Sequence, residues 1–372
     1  MKKRVSVLGV TGSIGKNTLD VLRLGKDDFT PVLFSARKNR RGLAEAAEEW
    51  PGAAQALAEG EEGRKALLAA IAAADADITV NGISGAAGLE FSMAAIDSGS
   101  DLALANKETV VMAGPLVFKR ALEKGVRIIP VDSEHSAIFH LVQSRGADDV
   151  EEIILTASGG PFRNFSLEEM GRVSPAEALV HPTWSMGPKI SVDSASLANK
   201  GLEIIEAAGL FNMPPDKIRV LVHPQSIVHS MIRLRDGAVY AQLSRPDMRL
   251  PIHEALYWPE TRASPFGKLD FESLTLEFKK PDFERFPMLG LAYEAVKKGG
   301  LYPCVYNAAN EAAVALFLSG DSGFLDIPRI VGYVLNRGWN GEVSDLASIL
   351  KADGEARIMA ENYIKGKQAC FF

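Results

Sequence analysis

Cysteine is nearly missing from this chain: Cys304 and Cys370 are the only two among 372 residues. That excludes a disulfide framework and points to a reducing compartment. Long apolar runs are missing too, since no stretch reaches the roughly 18 residues that a membrane helix needs. The start MKKRVSVLGV imitates a signal peptide only until its short apolar run ends in a Thr-Gly-Ser-Ile-Gly turn, too soon for a secretory core. Nor is positive charge in excess. With 41 Lys and Arg against 47 Asp and Glu, the net charge is -6, so there is no basic field for nucleic acid and any cluster of cations has a local task. Neither internal repeats nor low-complexity blocks occur. What remains is a globular, cytoplasmic chain with 47% apolar residues, enough for two or three domains, with no membrane or nucleic-acid partner expected.

Residues 4–10 form a β-branched strand pattern running into Gly9, Thr11, Gly12, Ser13, Ile14 and Gly15, followed by the helical spacing of Leu19, Val21 and Leu22. Gly12 and Gly15 keep the last interval of G-x-G-x-x-G, which makes Thr11, Gly12, Ser13 and Ile14 candidate cofactor contacts. The next strand, 31–35, ends in Ala36, Arg37, Lys38, Asn39, Arg40 and Arg41. An NAD site usually offers the ribose an acid at this point. Four cations and no acid favour a 2'-phosphate, hence NADP, with Arg37, Lys38 and Asn39 as contacts. Residues 42–74, rich in Ala and Glu, read as one or two surface helices. Strands at 77–80 and 101–105, separated by a helix to about residue 98, continue a doubly wound pattern whose carboxyl edge binds ligands. Asn106, Lys107 and Glu108 follow such an edge: Lys107 either touches nicotinamide ribose and a substrate oxygen or simply starts a helix over 109–124.

A strand at 127–131 stops at Asp132, Ser133, Glu134 and His135. Carboxylates at i and i+2 just past a strand end can converge on one cation, and hard oxygen donors suit Mg²⁺ or Mn²⁺ better than Zn²⁺. His135 is either a further ligand or a residue that packs or hydrogen-bonds behind the carboxylates. A third ligand is needed, and Glu203 is the candidate. It closes the run HPTWSMGPKISVDSASLANKGLE at 181–203, where Trp184 stands on a Pro- and Gly-punctuated loop with the look of a lid. Residues 190–192 read as a short strand, Asp193 and Ser194 as an N-cap, and 196–208 as a helix ended by Gly209. Free N–H groups at that helix start, with Ser194, Asn199 and Lys200, would hold a phosphate dianion, and Glu203 shares a face with Asn199. The plain alternative is a surface helix with one ion pair and a half-buried tryptophan. Ser158, in a glycine turn after a strand at 153–156, offers a second anion contact. Strands at 218–222, 227–234 and 238–244, with an Asp236-Gly237 hairpin, make this region α+β, and its apolar last strand suggests a subunit interface. A proline-rich stretch leads to a helical tail, where the polar run NAANE at 307–311 reads as the capped start of a helix over 307–318.

With these motifs assembled, the chain resembles the 1-deoxy-D-xylulose 5-phosphate reductoisomerase family of the non-mevalonate isoprenoid pathway. The resemblance runs nearly end to end through LGVTGSIG, LANKE, VDSEHSAIF, SGGPFR, HPTWSMGPKISVDS with NKGLE, HPQSIVHSM, RPDMR and NAANE. It implies an α/β protein with a Rossmann-like NADP-binding domain over 1–148, a central α+β catalytic and dimerisation domain over 149–258, a linker over 259–287 and a C-terminal helical domain over 288–372. It further implies a homodimer using NADPH and Mg²⁺ or Mn²⁺, with Co²⁺ a further candidate. Asp132, Glu134 and Glu203 would bind the metal. Ser158, Ser194, Asn199 and Lys200 would hold the substrate phosphate, and Ser133, Glu134, His181 and Glu203 would also touch substrate. His181 and Trp184 would lie on or beside a flap, Lys107 would approach the substrate, and Asn106, Lys107, Glu108 and Gly187 would border the cofactor. The implied catalytic set is Lys107, Glu134, His181, Trp184 and Glu203. Arg37 departs from the family, which is expected to have a small residue there, and the segment after Gly42 is short. A sugar-phosphate dehydrogenase that does not isomerise would share the nucleotide domain without needing three carboxylates, and an NADP-sensing protein would have no use for Asp132, Glu134 or Lys200.

Overall fold

The computed structural model describes residues 1–184 and 186–369; Ser185 of the lid run and Cys370 lie outside the described residues. In chain order the elements are β1 (Lys3–Leu8), α1 (Ser13–Leu24), β2 (Phe29–Ala36), α2 (Arg40–Glu48), β3 (Ala54–Leu57), α3 (Gly60–Ala73), β4 (Ile78–Asn81), α4 (Gly88–Asp97), β5 (Asp101–Leu104), α5 (Lys107–Lys124), β6 (Ile128–Pro130) and α6 (Ser133–Arg145). They continue with β7 (Val150–Ala157), α7 (Leu167–Met170), α8 (Pro175–Ala178), α9 (Pro188–Ala195), α10 (Ala198–Leu210), β8 (Ile218–Val222), β9 (Val228–Leu234), β10 (Val239–Leu243), α11 (Arg249–Tyr257), α12 (Pro287–Lys298), α13 (Tyr302–Ser319), α14 (Asp326–Leu335) and α15 (Leu346–Ala369).

The first compact unit comprises Met1–Thr109, Val117–His140 and Ser244–Leu269. Its six-stranded sheet is parallel in the order β3-β2-β1-β4-β5-β6. Such strands are covered on both faces, which explains why β1 from Val5 to Leu8 and all of β4 are buried without alternation. Strand order reverses between β1 and β4, and that reversal opens the crevice in which doubly wound sheets bind ligands. The expected domain boundaries place 244–258 in the catalytic domain. Instead α11 packs in this first core, with Ile252, Ala255 and Leu256 in one cluster with Val5, Val21, Leu22 and Val80. Burying Ile252 and Leu256 there contributes about 2 kcal/mol each, a long-range gain invisible to local patterning.

The second unit comprises Val110–Leu116, Leu141–Leu243 and the chain from Asp270 onward. Its four-stranded sheet runs β10-β9-β7-β8, with β7 parallel to β8 and antiparallel to β9, and β10 antiparallel to β9 at the edge. The helices α12 to α15 form the helical tail.

Several elements differ from expectation. Residues 42–74 hold a strand between two helices: β3 is short and alanine-containing, so composition suggests helix, yet it pairs in register with β2 from Leu33 to Ala36. Residues 190–192 belong to helix α9, begun by Pro188 at its first turn, where proline's fixed φ suits a helix. Asp193 and Ser194 therefore lie inside α9 rather than capping the next helix. Helix α10 starts later, after Leu197 in the left-handed region at φ 61°, and the Ser196 hydroxyl accepts from Ala198 N–H at 3.3 Å. The NAANE run lies in the middle of α13, with Asn307 and Asn310 fully buried, so capping does not account for it.

Gly15 gives the tightest test of the cofactor-side turn. A Cβ there would stand 2.4 Å from Gly9 O, Val10 Cα and Val10 O, all backbone atoms that cannot swing aside. Gly15→Ala is expected to destabilise the protein by about 3 kcal/mol in urea unfolding. Gly52→Ala, with nothing within 4 Å of the added carbon, is expected to change stability by less than about 0.5 kcal/mol. Equal midpoints for the two variants would show that the turn yields.

Candidate active site

The first unit supplies a cofactor-side loop and a carboxylate cluster. After β1, Gly9 takes φ +80°, and a Cβ there would lie 3.1 Å from Gly82 O in the loop after β4; only glycine lets these two loops approach so closely. Gly12 caps α1 without a side-chain hydrogen bond, so main-chain N–H groups at the start of α1 are open to an anion, with Thr11, Ser13 and Ile14 around them. Past β2, Arg37, Lys38 and Asn39 are exposed. Lys38 stands 3.5 Å from Glu59 and Arg41 is paired with Glu45 at 2.7 Å. Arg37 and Arg40 have no ion-pair partner among the described residues. Asn39 spends its Oδ1 on the Gly42 N–H at 2.9 Å, capping α2.

At the carboxyl edge, Asn106 is buried and its amide is committed. The two N–H groups of Nδ2 are shared among three acceptors, Ile83 O at 2.7 Å, Gly85 O at 2.9 Å and Glu108 Oε2 at 2.9 Å, while Oδ1 accepts from Thr109 N–H and Oγ–H. Its side chain ties the β4 loop to α5, which leaves only its main chain for a cofactor. Lys107, 5% exposed, places Nζ 2.6 Å from Asp132 Oδ2. Asp132 Oδ1 accepts from the Glu134 N–H at 3.2 Å and lies 3.3 Å from Nδ1 of fully buried His135, while Ser133 Oγ donates to Glu134 Oε2 at 2.5 Å. This unit thus brings Lys107, Asp132, Ser133 and Glu134 together, with the His135 ring beside the Asp132 carboxylate, and Asp132 opens α6 as well as carrying charge.

The second unit brings together two turns that carry the residues expected at the phosphate. Between 191 and 207 only Ser194 and Asn199 are not buried, so this stretch offers outward polar groups at two of the expected phosphate positions. Gly160 packs against them: a Cβ there would meet Ser194 O at 2.6 Å, which puts the Ser158 turn beside the end of α9. Glu203, 1% exposed, accepts from Asn199 Nδ2 at 2.6 Å and pairs with Lys200 Nζ. Asp193 is also buried, bonded by Lys189 at 3.0 Å and by Asn310 at 2.7 Å. The i, i+4 pairing of Lys189 with Asp193 is a helix signal that a strand reading of 190–192 passes over. Trp184 is partly buried with its ring 6.5 Å from that of His229, and Gly187 caps α9 in an exposed position.

Hydrogen-bond direction fixes the chemistry at His181. Its Nδ1 accepts from Thr183 N–H at 3.1 Å and Trp184 N–H at 2.9 Å, so the ring proton of the neutral form sits on Nε2. That Nε2–H donates to Ser158 Oγ at 3.0 Å, and Gly160 N–H reaches the same oxygen at 3.3 Å. With both lone pairs filled, the Ser158 hydroxyl proton is left to point at an outside acceptor. Burial, followed by the nearby Arg163 charge, lowers the His181 pKa to about 4.

His181 is therefore expected to stay neutral, as the Nε2–H tautomer, throughout the physiological range. Between pH 4 and its ordinary value of 6.5 the unfolded chain binds a proton at this position that the native chain refuses. Its contribution to stability is accordingly full above pH 6.5 and lost as the pH falls toward 4. A nitrogen-15 NMR titration checks both points; an imidazole that titrates at 6.5 would contradict the assignment.

With this geometry in view, the sequence matches family models described as 1-deoxy-D-xylulose 5-phosphate reductoisomerase over residues 5–114, its C-terminal domain over 128–211, and the DXP reductoisomerase C-terminal domain over 243–359. The 1-deoxy-D-xylulose 5-phosphate reductoisomerase of Chlorobium chlorochromatii is 49% identical, covering 97% of this chain and all of its own. The Zymomonas mobilis reductoisomerase, solved in complex with NADPH, superimposes with a TM-score of 0.89 at 43% identity, covering 98% of this chain and 99% of its own. A DOX-P reductoisomerase solved with NADPH, fosmidomycin and magnesium gives 0.89 at 35% identity over 98% of both chains. Relatives this similar over this length establish that the chain belongs to the 1-deoxy-D-xylulose 5-phosphate reductoisomerase family.

Proposed function

We propose that this protein carries out the NADPH- and divalent-metal-dependent rearrangement and reduction of 1-deoxy-D-xylulose 5-phosphate to 2-C-methyl-D-erythritol 4-phosphate, in the non-mevalonate route to isoprenoids. The observation that carries this reading is the full-length match to reductoisomerases, including a relative solved with NADPH, fosmidomycin and magnesium.

Asp132, Glu134 and Glu203 are the residues that would hold the metal. The donor set fits: all three offer carboxylate oxygen, suited to Mg²⁺ or Mn²⁺, and Asp132 and Glu203 already answer an ammonium group, from Lys107 and Lys200 respectively. Bound together, metal and NADPH supply a Lewis acid for the substrate's ketone and neighbouring hydroxyl and a hydride for the rearranged aldehyde. The chain's own residues do the rest. Lys107 presents a buried ammonium to substrate oxygen. Ser158, its lone pairs filled by His181 and Gly160, donates outward to the phosphate, joined by Ser194, Asn199 and Lys200. Phosphate binding lies away from the reacting carbons, so its energy is available for orientation and lid closure, and Trp184 with Met186 excludes water. Arg37, Lys38 and Asn39 face the 2'-phosphate of NADPH, with Asn106, Glu108 and Gly187 at the cofactor's border. The edge strand β10, with Val239 exposed, supports a homodimer. No described helix is long and apolar enough to cross a membrane, and the acidic composition suits a cytoplasmic enzyme with no nucleic-acid partner.

Loss of reduced-nicotinamide absorbance on mixing the protein with NADPH, the deoxyxylulose phosphate and Mg²⁺ tests the reading, with chelator and NADH controls and identification of the branched tetritol product. In that assay Glu203→Gln is expected to lower kcat by about 10³-fold. Removing one partner of the buried pair also destabilises, by about 3 kcal/mol, so the folded fraction is measured alongside by circular dichroism. Wild-type kcat in the variant removes Glu203 from the site.

A further inference from the structure

A chain of charges in the second unit, buried at Asp193 and half-buried beyond it, connects the phosphate-side helices to the helical tail. Asp193, next to Ser194, accepts from Asn310 Nδ2 on α13 at 2.7 Å through Oδ1 and holds Lys189 Nζ at 3.0 Å through Oδ2. Because a carboxylate only accepts, the NH₂ edge of Asn310 faces it, which settles the amide's orientation. Lys189, three residues after Met186 at the end of the lid run, also lies 3.9 Å from Glu311. Glu311 in turn accepts from Asn307 Nδ2 at 3.2 Å and from Arg357 Nη2 on α15 at 2.7 Å, and Asp353 holds Arg357 at 2.7 Å.

The same face of α13 carries Tyr306, one turn before Asn310. It is fully buried, and its hydroxyl comes so near Gly201 that a Cβ there would lie 2.3 Å away. Tyr306 therefore bears on α10 beside Lys200, while Asn310 bears on α9 beside Ser194. Between these two points the chain turns through Leu197 in the left-handed region, a conformation that persists for a branched residue only where surrounding structure holds it.

We propose that Asn310 is a positioning residue for the sugar phosphate: through Asp193 it sets the end of α9, and with Tyr306 it holds the turn that aligns Ser194 with Asn199 and Lys200. This rests on reading those three residues as the phosphate site. The hydrogen bond is to a charged group and fully buried, so its loss shifts the cradle as well as weakening the core.

The test is Asn310→Ala in the full-length protein, assayed with NADPH, Mg²⁺ and 1-deoxy-D-xylulose 5-phosphate. The KM for the sugar phosphate is expected to rise about tenfold, with kcat and the KM for NADPH within about twofold of wild type. Inorganic phosphate, which stabilises whatever it binds, is expected to raise the melting midpoint of the wild type and not that of the variant. A reciprocal exchange guards against misfolding: Asn310→Asp alone sets two carboxylates together, while adding Asp193→Asn re-forms the bond in the opposite sense and is expected to recover most of the lost affinity. An unchanged sugar-phosphate KM in Asn310→Ala overturns the proposal, as does a loss confined to kcat in step with the unfolded fraction, or an exchange that recovers nothing. Should the wild type leave NADPH unoxidised, the functional reading fails, and phosphate-dependent melting still decides the role of Asn310.

Discussion

A charge taken out of water has to be answered by a neighbour, and this constraint governs both units of the protein. Asp132 and Glu203 are carboxylates held where solvent hardly reaches, and each is met by a buried lysine, Lys107 and Lys200. Left alone, either charge would cost several kcal/mol. Paired, each of these carboxylates can be held within its own unit. Asn199 adds a hydrogen bond to Glu203, and Glu134 and His135 close in on Asp132, so the pairs are also oriented. The same requirement extends to Asp193, whose two oxygens are shared between Lys189 and Asn310.

Direction in hydrogen bonding does as much work as charge. Two main-chain N–H groups fix the tautomer of His181, the ring and the Gly160 N–H fill the lone pairs of Ser158, and the serine proton is thereby aimed outward. A histidine held this way orients its neighbours and has no need to exchange protons. Glycines set the distances at which such groups can meet: Gly160 lets the Ser158 turn lie against Ser194, and Gly9 lets the β1 and β4 loops close on each other. At both places a methyl group would hold the two segments apart.

Much of this was legible from residues in order. Alternating and continuous apolar runs located the parallel strands, and the strand expected at 218–222 coincides with β8. The glycine turn after β1, the cations after β2 and the acids after β6 stand at strand ends, where local pattern is most informative. Reading failed where distant contacts outweighed local preference. β3 is a strand because β2 is beside it. The NAANE run looked like a helix start because polar residues usually cap, whereas its asparagines are buried on α13, one of them bonded to an aspartate more than a hundred residues earlier. Asp193 likewise looked like a cap, whereas it lies inside α9, and the next helix begins after Leu197 without a side-chain cap.

Residue type and spacing by themselves determined that the chain has a nucleotide-binding half, that acids gather after β6, and that serine, asparagine and lysine cluster near residue 200. These depend on local geometry, the period of a strand or a turn of helix, which a few neighbouring residues specify. Tertiary structure alone decided that α11 belongs to the first core, that His181 is locked as a neutral donor to Ser158, and that α13 packs against α9 and α10 through Asn310 and Tyr306. Each of those outcomes depends on burial and on partners far away in the chain, and the free energy of a buried contact is set by what surrounds it in space.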